Sequence, residues 1–94
     1  MAIATIKGTV VAESDETIII EGNHYFPPAA VKSEFFSDSD HSTVCGWKGT
    51  ASYYNITIDG ETSQNVAWYY SEPLEKAAEI TGYVAFYPAV QVQA

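Results

Sequence analysis

The hydrophobic and polar positions of the chain follow one another in short runs that are typical of β-strands. Residues 3–12, "IATIKGTVVA", are rich in β-branched side chains and predict a first strand. Residues 17–22, "TIIIEG", predict a second strand, and residues 21–23 predict the turn that follows it. The spacing of these runs indicates a chain built mainly from strands.

The middle of the chain contains shorter runs. "HYFPP" and "TVCGW" predict two short extended segments, and the polar run "SDSDHS" between them predicts a loop. Pro28 can begin a single helical turn that continues through Val31, because proline is well tolerated at the first position of a helix.

The strongest local signal is a hairpin centred on Asp59 and Gly60. These residues lie between "TASYYNITI" and "ETSQNVAWYY", and Asp-Gly favours a two-residue turn in which both residues have positive φ. If the loop holds only these two residues, Ile58 pairs with Glu61. The same register predicts the pairs Tyr54–Asn65, Tyr53–Val66 and Ala51–Trp68.

Alternation along a strand divides the side chains of this hairpin between two faces. One face is predicted to carry Tyr53, Val66, Trp68 and Tyr70. The other is predicted to carry Tyr54, Ile56, Ile58 and Ala67. Because both faces carry apolar side chains, we expect the hairpin to be central, with other parts of the chain packed on each side.

The last third of the chain predicts a helix and a final strand. In "SEPLEKAAEI", Ser71 can cap a helix and Pro73 is tolerated in its first turn, which predicts a short helix near residues 72–79. "YVAFYPAV" predicts a strand that ends at Pro88. The length of 94 residues suits a single domain, residues 1–94. We therefore predict a mainly β fold, a compact two-sheet β domain of about six strands with one short helix.

Acidic side chains greatly outnumber basic ones. The chain has 12 Asp and Glu residues, four lysines and no arginine, for a formal net charge of −8. Such a surface repels phosphate backbones and anionic lipids, so we expect neither nucleic acid nor a membrane as a partner. No apolar run approaches the length of a membrane helix, and the N-terminus lacks the pattern of a signal peptide. With a single cysteine, these features predict a cytoplasmic protein, and nothing in them indicates a homo-oligomer.

Cys45 is the candidate nucleophile. His41 could act as its base and Lys48 could lower the pKa of the thiol, since residues 41 and 45 fall on one side of an extended segment. The alternative is a small buried side chain, which is the usual state of a free cysteine. One cysteine and two histidines do not match a structural zinc site, so no metal is predicted.

Lys48 lies between Trp47 and Gly49, within a run of small and aromatic residues. It could bind an anionic group or stack on Trp47 or Tyr53, and it could equally be a surface lysine whose stem covers apolar side chains. The many tyrosines nearby could line a pocket with a polar rim, and the alternative is that their rings fill the core.

Several segments of the chain resemble a known family. They are "TVCGWKG" at 43–49, "ASYY" at 51–54, "VAWYYSEP" at 66–73 and "ITGYVAFY" at 80–87. They are similar to the domain-of-unknown-function 427 family, whose signature is Thr-x-Cys-Pro-Tyr/Trp-Lys-Gly, followed by Ala-x-Tyr-Tyr and Ala-Trp-x-Tyr. "YFPPAAV" extends the resemblance over nearly the whole chain, and Gly46 stands where proline is usual.

The resemblance implies a compact, mainly β domain of two sheets, and it implies no function because none is established for the family. An older label associates the family with nucleotidyltransferases. This chain has no arginine, no paired-aspartate metal site and no phosphate loop, so we expect neither that activity nor a cofactor. The signature falls on Cys45, Lys48, Tyr53, Tyr54, Trp68, Tyr70 and Tyr83, with His41 just upstream.

Three functions are consistent with these residues. We expect a binding module with a Lys/Tyr-lined pocket for a small polar or anionic ligand. One alternative is an enzyme that uses Cys45 as nucleophile, supported by His41 and Lys48, and another is a structural or partner-binding domain. The predicted pocket residues are Lys48, Trp47, Tyr53, Tyr54, Trp68, Tyr70 and Tyr83.

Overall fold

The computed structural model describes residues 1–94 and confirms a mainly β fold. It contains nine strands, where about six were expected from the spacing of the runs. The strands are β1 Ala2–Ile6, β2 Thr9–Ser14, β3 Ile18–Ile20, β4 Asn23–Tyr25, β5 Phe36–Cys45, β6 Gly49–Ile58, β7 Glu61–Tyr69, β8 Val84–Phe86 and β9 Gln91–Gln93.

The strands form three sheets, where two were predicted. One sheet has the order β2-β1-β9, the hairpin β3-β4 forms a second, and the largest has the order β5-β6-β7-β8. All pairings are antiparallel. Backbone hydrogen bonds between Phe26 and Val84, of 2.8 and 2.9 Å, tie the segment after β4 to strand β8 of the large sheet.

Two-residue turns account for the extra strands at the N-terminus. Lys7 and Gly8 both have positive φ, so residues 3–12 form the hairpin β1-β2 and not the single strand predicted. Glu21-Gly22 and Asp59-Gly60 have the same pattern of φ, which is that of a type I′ turn. Each of these turns ends in glycine, the residue that reaches this region without a steric cost.

The Asp59-Gly60 hairpin is confirmed, and its register near the turn is as predicted, with Ile58 opposite Glu61. Beyond Ile56 the register shifts by two residues, so the three predicted pairs farther from the turn are wrong. Tyr54 lies opposite Ala67, and Tyr53 lies opposite Trp68. The cause is a bulge in β7, where Asn65 has a φ of 56°.

The hairpin is central, because both faces of the large sheet are covered. The face with Ile56, Ile58 and Ala67 packs against the β2-β1-β9 sheet. The buried side chains there form the first core: Ala2, Ala4, Ile6, Val11, Ala12, Phe26, Ile56, Ile58, Val66, Ala67, Val84, Phe86 and Val90. The opposite face packs against the β3-β4 hairpin and the segment before β8. Its buried side chains form the second core: Tyr25, Ala51, Tyr53, Tyr70, Ala77, Ile80 and Ala85.

The two-residue shift preserves the predicted faces for all but one side chain. Tyr53, Trp68 and Tyr70 share the second core, and Tyr54 packs against the first. Val66 was predicted to lie with Tyr53, and it belongs instead to the first core. Val66 follows the bulged Asn65, where the local alternation of side chains is interrupted.

The predicted helix near residues 72–79 is not an α-helix. The chain forms 3₁₀ turns over Glu75–Ile80, and Ala77, at φ −115°, interrupts them. Ala77 and Ile80 are its buried side chains, so it contributes only a narrow apolar face to the second core. The turn predicted at Pro28 is present as a 3₁₀ turn over Pro28–Ala30, and a similar turn spans Ser33–Phe35. None of these turns has the length or apolar character needed to cross a membrane.

The polar run "SDSDHS" is a strand and not a loop. It lies inside β5, which pairs only with β6 and is therefore an edge of the large sheet. Nearly all of β5 is exposed, which explains why the run carries none of the apolar alternation that marks a buried strand. The register against β6 shifts between Asp38 and Ser42.

Candidate functional site

Most of the predicted pocket residues gather on one face of the large sheet. Tyr53 and Tyr70 are buried in the second core, and Trp68 and Tyr83 pack against it. The rings of Trp68 and Tyr25 meet edge to face, and Trp68 Nε1 donates a hydrogen bond of 3.2 Å to the Tyr25 hydroxyl. These side chains therefore fill space between the layers and do not line an open cavity.

The buried hydroxyl of Tyr53 is already satisfied. It shares hydrogen bonds of 2.9 Å with Thr43 Oγ1 and 3.2 Å with the Tyr87 hydroxyl, and the Tyr53 and Tyr87 rings are stacked. The hydrogen bond to Tyr53, together with burial, raises the pKa of Tyr87 to about 12. No buried polar side-chain atom in the protein lacks a hydrogen-bond partner. The aromatic network consequently leaves no free buried polar group for a ligand.

Tyr54 lies on the other side of the sheet from the remaining candidates. Its ring stacks on Tyr69 at 4.4 Å and meets Phe36 edge to face. Burial, with the neighbouring Tyr69 phenol, raises the pKa of Tyr54 to about 12. Tyr54 is separated by the sheet from Tyr53 and Lys48, so these residues cannot line one pocket.

Lys48 is the one charged residue that is buried, with 6% of its surface exposed. Its Nζ donates a hydrogen bond to Oε1 of Glu21, at the tip of the β3-β4 hairpin. The ammonium also lies 5.1 Å from the centre of the Trp47 ring and 5.8 Å from that of Tyr70. Lys48 therefore joins the β5-β6 connection to the β3-β4 hairpin through a charge held between two aromatic rings.

The environment of Lys48 keeps it protonated. Burial by itself would lower the pKa of Lys48, but the hydrogen bond to Glu21 and the nearby phenols of Tyr25 and Tyr70 together raise it. Burial raises the pKa of Tyr70, although the charge of Lys48 acts in the opposite direction. A phenol and an ammonium thus lie side by side in their protonated forms at neutral pH.

The backbone around Lys48 is fixed by its contact with the segment before the 3₁₀ turns. The carbonyl of Lys48 accepts a hydrogen bond of 2.9 Å from the Leu74 amide. Gly49 has a φ of 108°, and a Cβ there would lie 3.4 Å from that amide nitrogen. Glycine is favoured here by the backbone conformation, because side chains are strained at this φ, while a Cβ would make only an ordinary contact with the neighbouring chain.

Cys45 and His41 share no hydrogen bond and lie apart along β5. Residues 42–45 pair regularly with β6, so this part of β5 is extended. Four residues of extended strand span about 13 Å, which is too far for proton transfer between the two side chains. The ring of His41 packs on Tyr53, 4.6 Å between centres, while Cys45 is half-buried against the second core. The one side-chain hydrogen bond of Lys48 goes to Glu21 and not to the sulfur.

The larger of two surface clefts lies beside the register shifts of β5, β6 and β7, and residues of all three strands line it. Its volume is about 490 Å³, within the range of small-molecule sites. No hydrophobic residue lines it. Its walls are Asp38, Ser39, Asp40, His41, Asn55, Gln64 and Asn65, and we call it the polar cleft.

Hydrogen bonds between strands hold the floor of the polar cleft. The backbone amide of Asn65 donates a hydrogen bond of 3.0 Å to the side-chain oxygen Oδ1 of Asn55, and Ser39 Oγ donates one to the side-chain oxygen Oδ1 of Asn65. The His41 amide donates to Ser39 Oγ at 3.1 Å. These bonds link three strands at the two places where their registers shift. The polar cleft is therefore formed by the irregular strand pairing at these two places.

The charges of the polar cleft are mainly negative. Asp38 and Asp40 are exposed, and no lysine lines the cleft. The structure contains no group of three or more His, Cys, Asp or Glu side chains placed to hold a metal ion. The arrangement offers carboxylate and amide oxygens as hydrogen-bond acceptors, with His41 beside them.

The smaller cleft lies beside Lys48. It has a volume of about 330 Å³ and is lined by Gly46, Trp47, Leu74, Glu75 and Lys76. Trp47 and Leu74 are among the few large hydrophobic side chains exposed to solvent. We call it the Trp47 cleft, and Trp47 is the one predicted pocket residue that lines a cleft.

Of the residues that line the polar cleft, only His41 was a candidate from the sequence. The others were missed because "SDSDHS" was interpreted as a loop and because the bulge brings together residues that alternation separates. One signal was available. Asn55 and Asn65 interrupt two runs that otherwise predict strands, and asparagine is depleted in strand interiors.

These features define a small, mainly β domain with a polar cleft on an edge strand and a buried lysine. The chain belongs to the family described as a domain of unknown function, DUF427, whose model matches residues 2–94. The resemblance noted in the sequence is thereby confirmed. None of the curated proteins compared with the chain matches it.

Proposed function

We propose that this protein is a binding module for a small polar ligand rich in hydrogen-bond donors, such as an amine or a polyol. The observation that carries the proposal is the polar cleft, about 490 Å³ in volume and without a hydrophobic residue in its lining. Its volume lies in the range of small-molecule sites, and polar side chains from the three strands β5, β6 and β7 line it.

The chemistry of the lining selects the class of ligand. The carboxylates of Asp38 and Asp40 offer hydrogen-bond acceptors, and they are part of the acidic surface of a protein of net charge −8. An anion would be repelled, and an apolar molecule would find no apolar surface. A ligand with several N–H or O–H groups satisfies both carboxylates, and His41 can pack against its carbon skeleton as it packs against Tyr53.

The site is also preorganised, which favours binding. The bonds among Ser39, Asn65 and Asn55 fix the floor before a ligand arrives, so little conformational entropy is lost on binding. The separation of Cys45 from His41 favours binding over nucleophilic catalysis. The single cysteine favours a reducing compartment, and we place the protein in the cytoplasm.

Calorimetric titration tests the proposal. The probes are putrescine, as an amine, and glucose, as a polyol. Asp40→Asn removes one acceptor charge from the polar cleft, and Glu13→Gln removes the same charge from the exposed face of β2 as a matched control.

At physiological ionic strength, we expect at least one of the probes to bind the wild type at a single site. Asp40→Asn should weaken it at least about tenfold, because charge-assisted hydrogen bonds contribute roughly 1.5–3 kcal/mol, and Glu13→Gln should leave it unchanged. Equal losses in the two variants would indicate attraction to the general acidic surface. That result, or no binding of either probe, would end the proposal.

A further inference from the structure

Lys48 is a buried cation that lies outside the polar cleft. Lys48 exposes only 6% of its surface, and its ammonium needs an anionic partner because an uncompensated buried charge is strongly destabilising. Glu21 supplies that partner, and it is the only side chain that accepts a hydrogen bond from Lys48. The two aromatic rings beside the ammonium complete its surroundings.

Glu21 is an unusual choice of residue for its position. It has a φ of 54° in a two-residue turn, where Asn, Asp or Gly is favoured and glutamate is not. Its backbone conformation therefore does not explain why glutamate is there. The contact with Lys48 does, since a carboxylate on a shorter side chain at this position would not extend as far.

The carboxylate of Glu21 can leave Lys48 without disturbing either core. The side chain is 57% exposed, and it lies at the tip of a hairpin whose strands are only three residues long. A rotation of the side chain into water would release the ammonium while the backbone stays in place. The Glu21 carboxylate thus takes the position beside the Lys48 ammonium that the carboxylate of a ligand could take.

We propose that Lys48 is the anchor of a second binding site, for a small monocarboxylate with an apolar body, and that Glu21 fills this site in the absence of a ligand. The ligand carboxylate would take the place of the Glu21 carboxylate. Its apolar part would extend into the Trp47 cleft, which shares the Trp47 ring with the surroundings of the ammonium.

The class of ligand follows from the charge and the lining. Lys48 is the single buried cation and there is no arginine, so the site neutralises one negative charge and not two. Trp47 and Leu74 offer an apolar surface in the adjacent cleft of about 330 Å³, whose two charged lining residues, Glu75 and Lys76, are of opposite sign. A dianion such as phosphate would retain a buried negative charge and would have no use for that surface.

Glu21→Asn separates the role of the side chain from that of the turn. Asn-Gly is the most favourable type I′ sequence, so the turn itself should be retained, and the shorter, uncharged side chain leaves Lys48 without its anion at some cost in stability. Glu61→Asn is the matched control, because it removes an exposed glutamate that pairs with Lys7. Lys48→Met removes the anchor and keeps the apolar stem.

Benzoate binding, followed by calorimetry and by thermal melting, tests the proposal. Glu21→Asn should bind benzoate at least about tenfold more tightly than the wild type and should melt several degrees higher in its presence, because Glu21 no longer competes. Glu61→Asn should behave as the wild type, and Lys48→Met should not bind.

Inorganic phosphate should bind Glu21→Asn more weakly than benzoate. Glu21→Gln, which keeps the original side-chain length, provides a second variant if Glu21→Asn does not fold. Benzoate affinity that is the same in the wild type and in both Glu21 variants, or that survives Lys48→Met, overturns the proposal. The polar cleft is not involved in any of these measurements.

Discussion

Lys48 and Glu21 form an ion pair whose two members are buried to very different extents, so removing one partner should change stability by a different amount than removing the other. Lys48 is buried and Glu21 is more than half exposed, so the two charges differ in what happens when the other is removed. A free Glu21 carboxylate would be solvated by water. A free Lys48 ammonium would remain among Trp47, Tyr70 and Tyr25 with no counter-charge.

Lys48→Met should therefore destabilise the protein less than Glu21→Gln. We expect a loss of less than about 1 kcal/mol for Lys48→Met, since methionine retains the packing of the stem, and about 1–3 kcal/mol for Glu21→Gln, which leaves the buried charge with a neutral acceptor. Urea unfolding of the two variants measures the difference. A larger loss for Lys48→Met would mean that Glu21 depends on the pair more than Lys48 does.

Trp68 contributes to stability through its ring and through its single hydrogen bond. Trp68→Ala should cost about 3 kcal/mol, the lower end of the range for large aromatic residues, because Trp68 is only partly buried. Trp68→Phe should cost about 1–2 kcal/mol, since it leaves the buried Tyr25 hydroxyl without its donor. Chemical denaturation checks both values. A loss of less than 1 kcal/mol for the alanine variant would place Trp68 at a surface for a partner.

Residues with unusual chemistry could be recognised from the sequence, but the side chains that they contact in the fold could not. Lys48 was identified because lysine is unusual among small and aromatic residues. Its partner Glu21 lies 27 positions away and was interpreted only as part of a turn. The tyrosines were selected as a group, although Tyr54 packs against the first core and the others against the second, and sequence alone left open whether they form a pocket or a core. The hydrogen bonds of Tyr53 favour the core.

At the scale of elements, the connection between β5 and β6 positions Lys48. The chain turns at Gly46 and Gly49, and only Gly49 has positive φ and a close neighbour. Its contact with Leu74 brings the segment before the 3₁₀ turns against the loop, where the Lys48 carbonyl accepts a hydrogen bond. Lys48 therefore depends on Gly49 for its orientation.

Gly49→Ala should destabilise the protein by about 1–3 kcal/mol, because alanine is strained at a φ of 108°. Gly46→Ala is the matched control. No atom lies within 4 Å of a Cβ there and its φ is not positive, so we expect little change. Thermal melts of both variants measure the effect, and equal melting temperatures would contradict the role assigned to Gly49.

Elements that are determined by neighbouring residues in the sequence were predicted well. Elements that depend on contacts with distant parts of the chain were not. The Asp59-Gly60 hairpin follows from its turn residues, and it was located correctly together with its first pairs. The bulge at Asn65 depends on the Asn55 side chain across the sheet, so the register beyond it was wrong. The helix near residues 72–79 has helical propensity, but docking against the second core leaves only 3₁₀ turns.

At the scale of the molecule, folding raises the pKa of four groups, each of which therefore holds its proton more tightly in the folded state. The pKa values of Tyr54 and Tyr87 rise from 10.0 to about 12, and those of Tyr70 and Lys48 also rise. A group whose pKa is raised by folding stabilises the protein fully below its unfolded pKa. That contribution is lost as the pH rises through the folded pKa.

Stability should therefore fall steeply between about pH 10 and pH 12, before general alkaline effects dominate. Urea midpoints measured across this range test the effect, and Tyr54→Phe should flatten the decline because phenylalanine does not ionise. Phenolate absorbance gives an independent check, since two tyrosines should titrate near pH 12. All tyrosines titrating near pH 10 in the folded protein would contradict the account.

The mainly β class and the layers on both sides of the central hairpin were predictable because they depend on many residues at once, whereas the numbers of sheets and strands were not. The apolar character of both faces of the central hairpin indicated a layer on each side, and the two cores confirm it. The polar cleft was not predictable, because it arises where an edge strand and a bulge meet and its lining carries no apolar pattern. The proposed binding site is therefore in the region where the alternation of apolar and polar residues gives the least information about the fold.

The most direct test of the polar cleft is a titration of the labelled wild-type protein followed by amide chemical shifts in NMR spectra. With putrescine and with glucose, we expect saturable changes at Asp38, Ser39, Asp40, His41, Asn55, Gln64 and Asn65 for whichever probe binds. The β2-β1-β9 sheet should be unaffected. Changes spread over the acidic surface in proportion to charge, or saturable changes that leave these seven residues unmoved, would contradict the assignment of the polar cleft as the binding site.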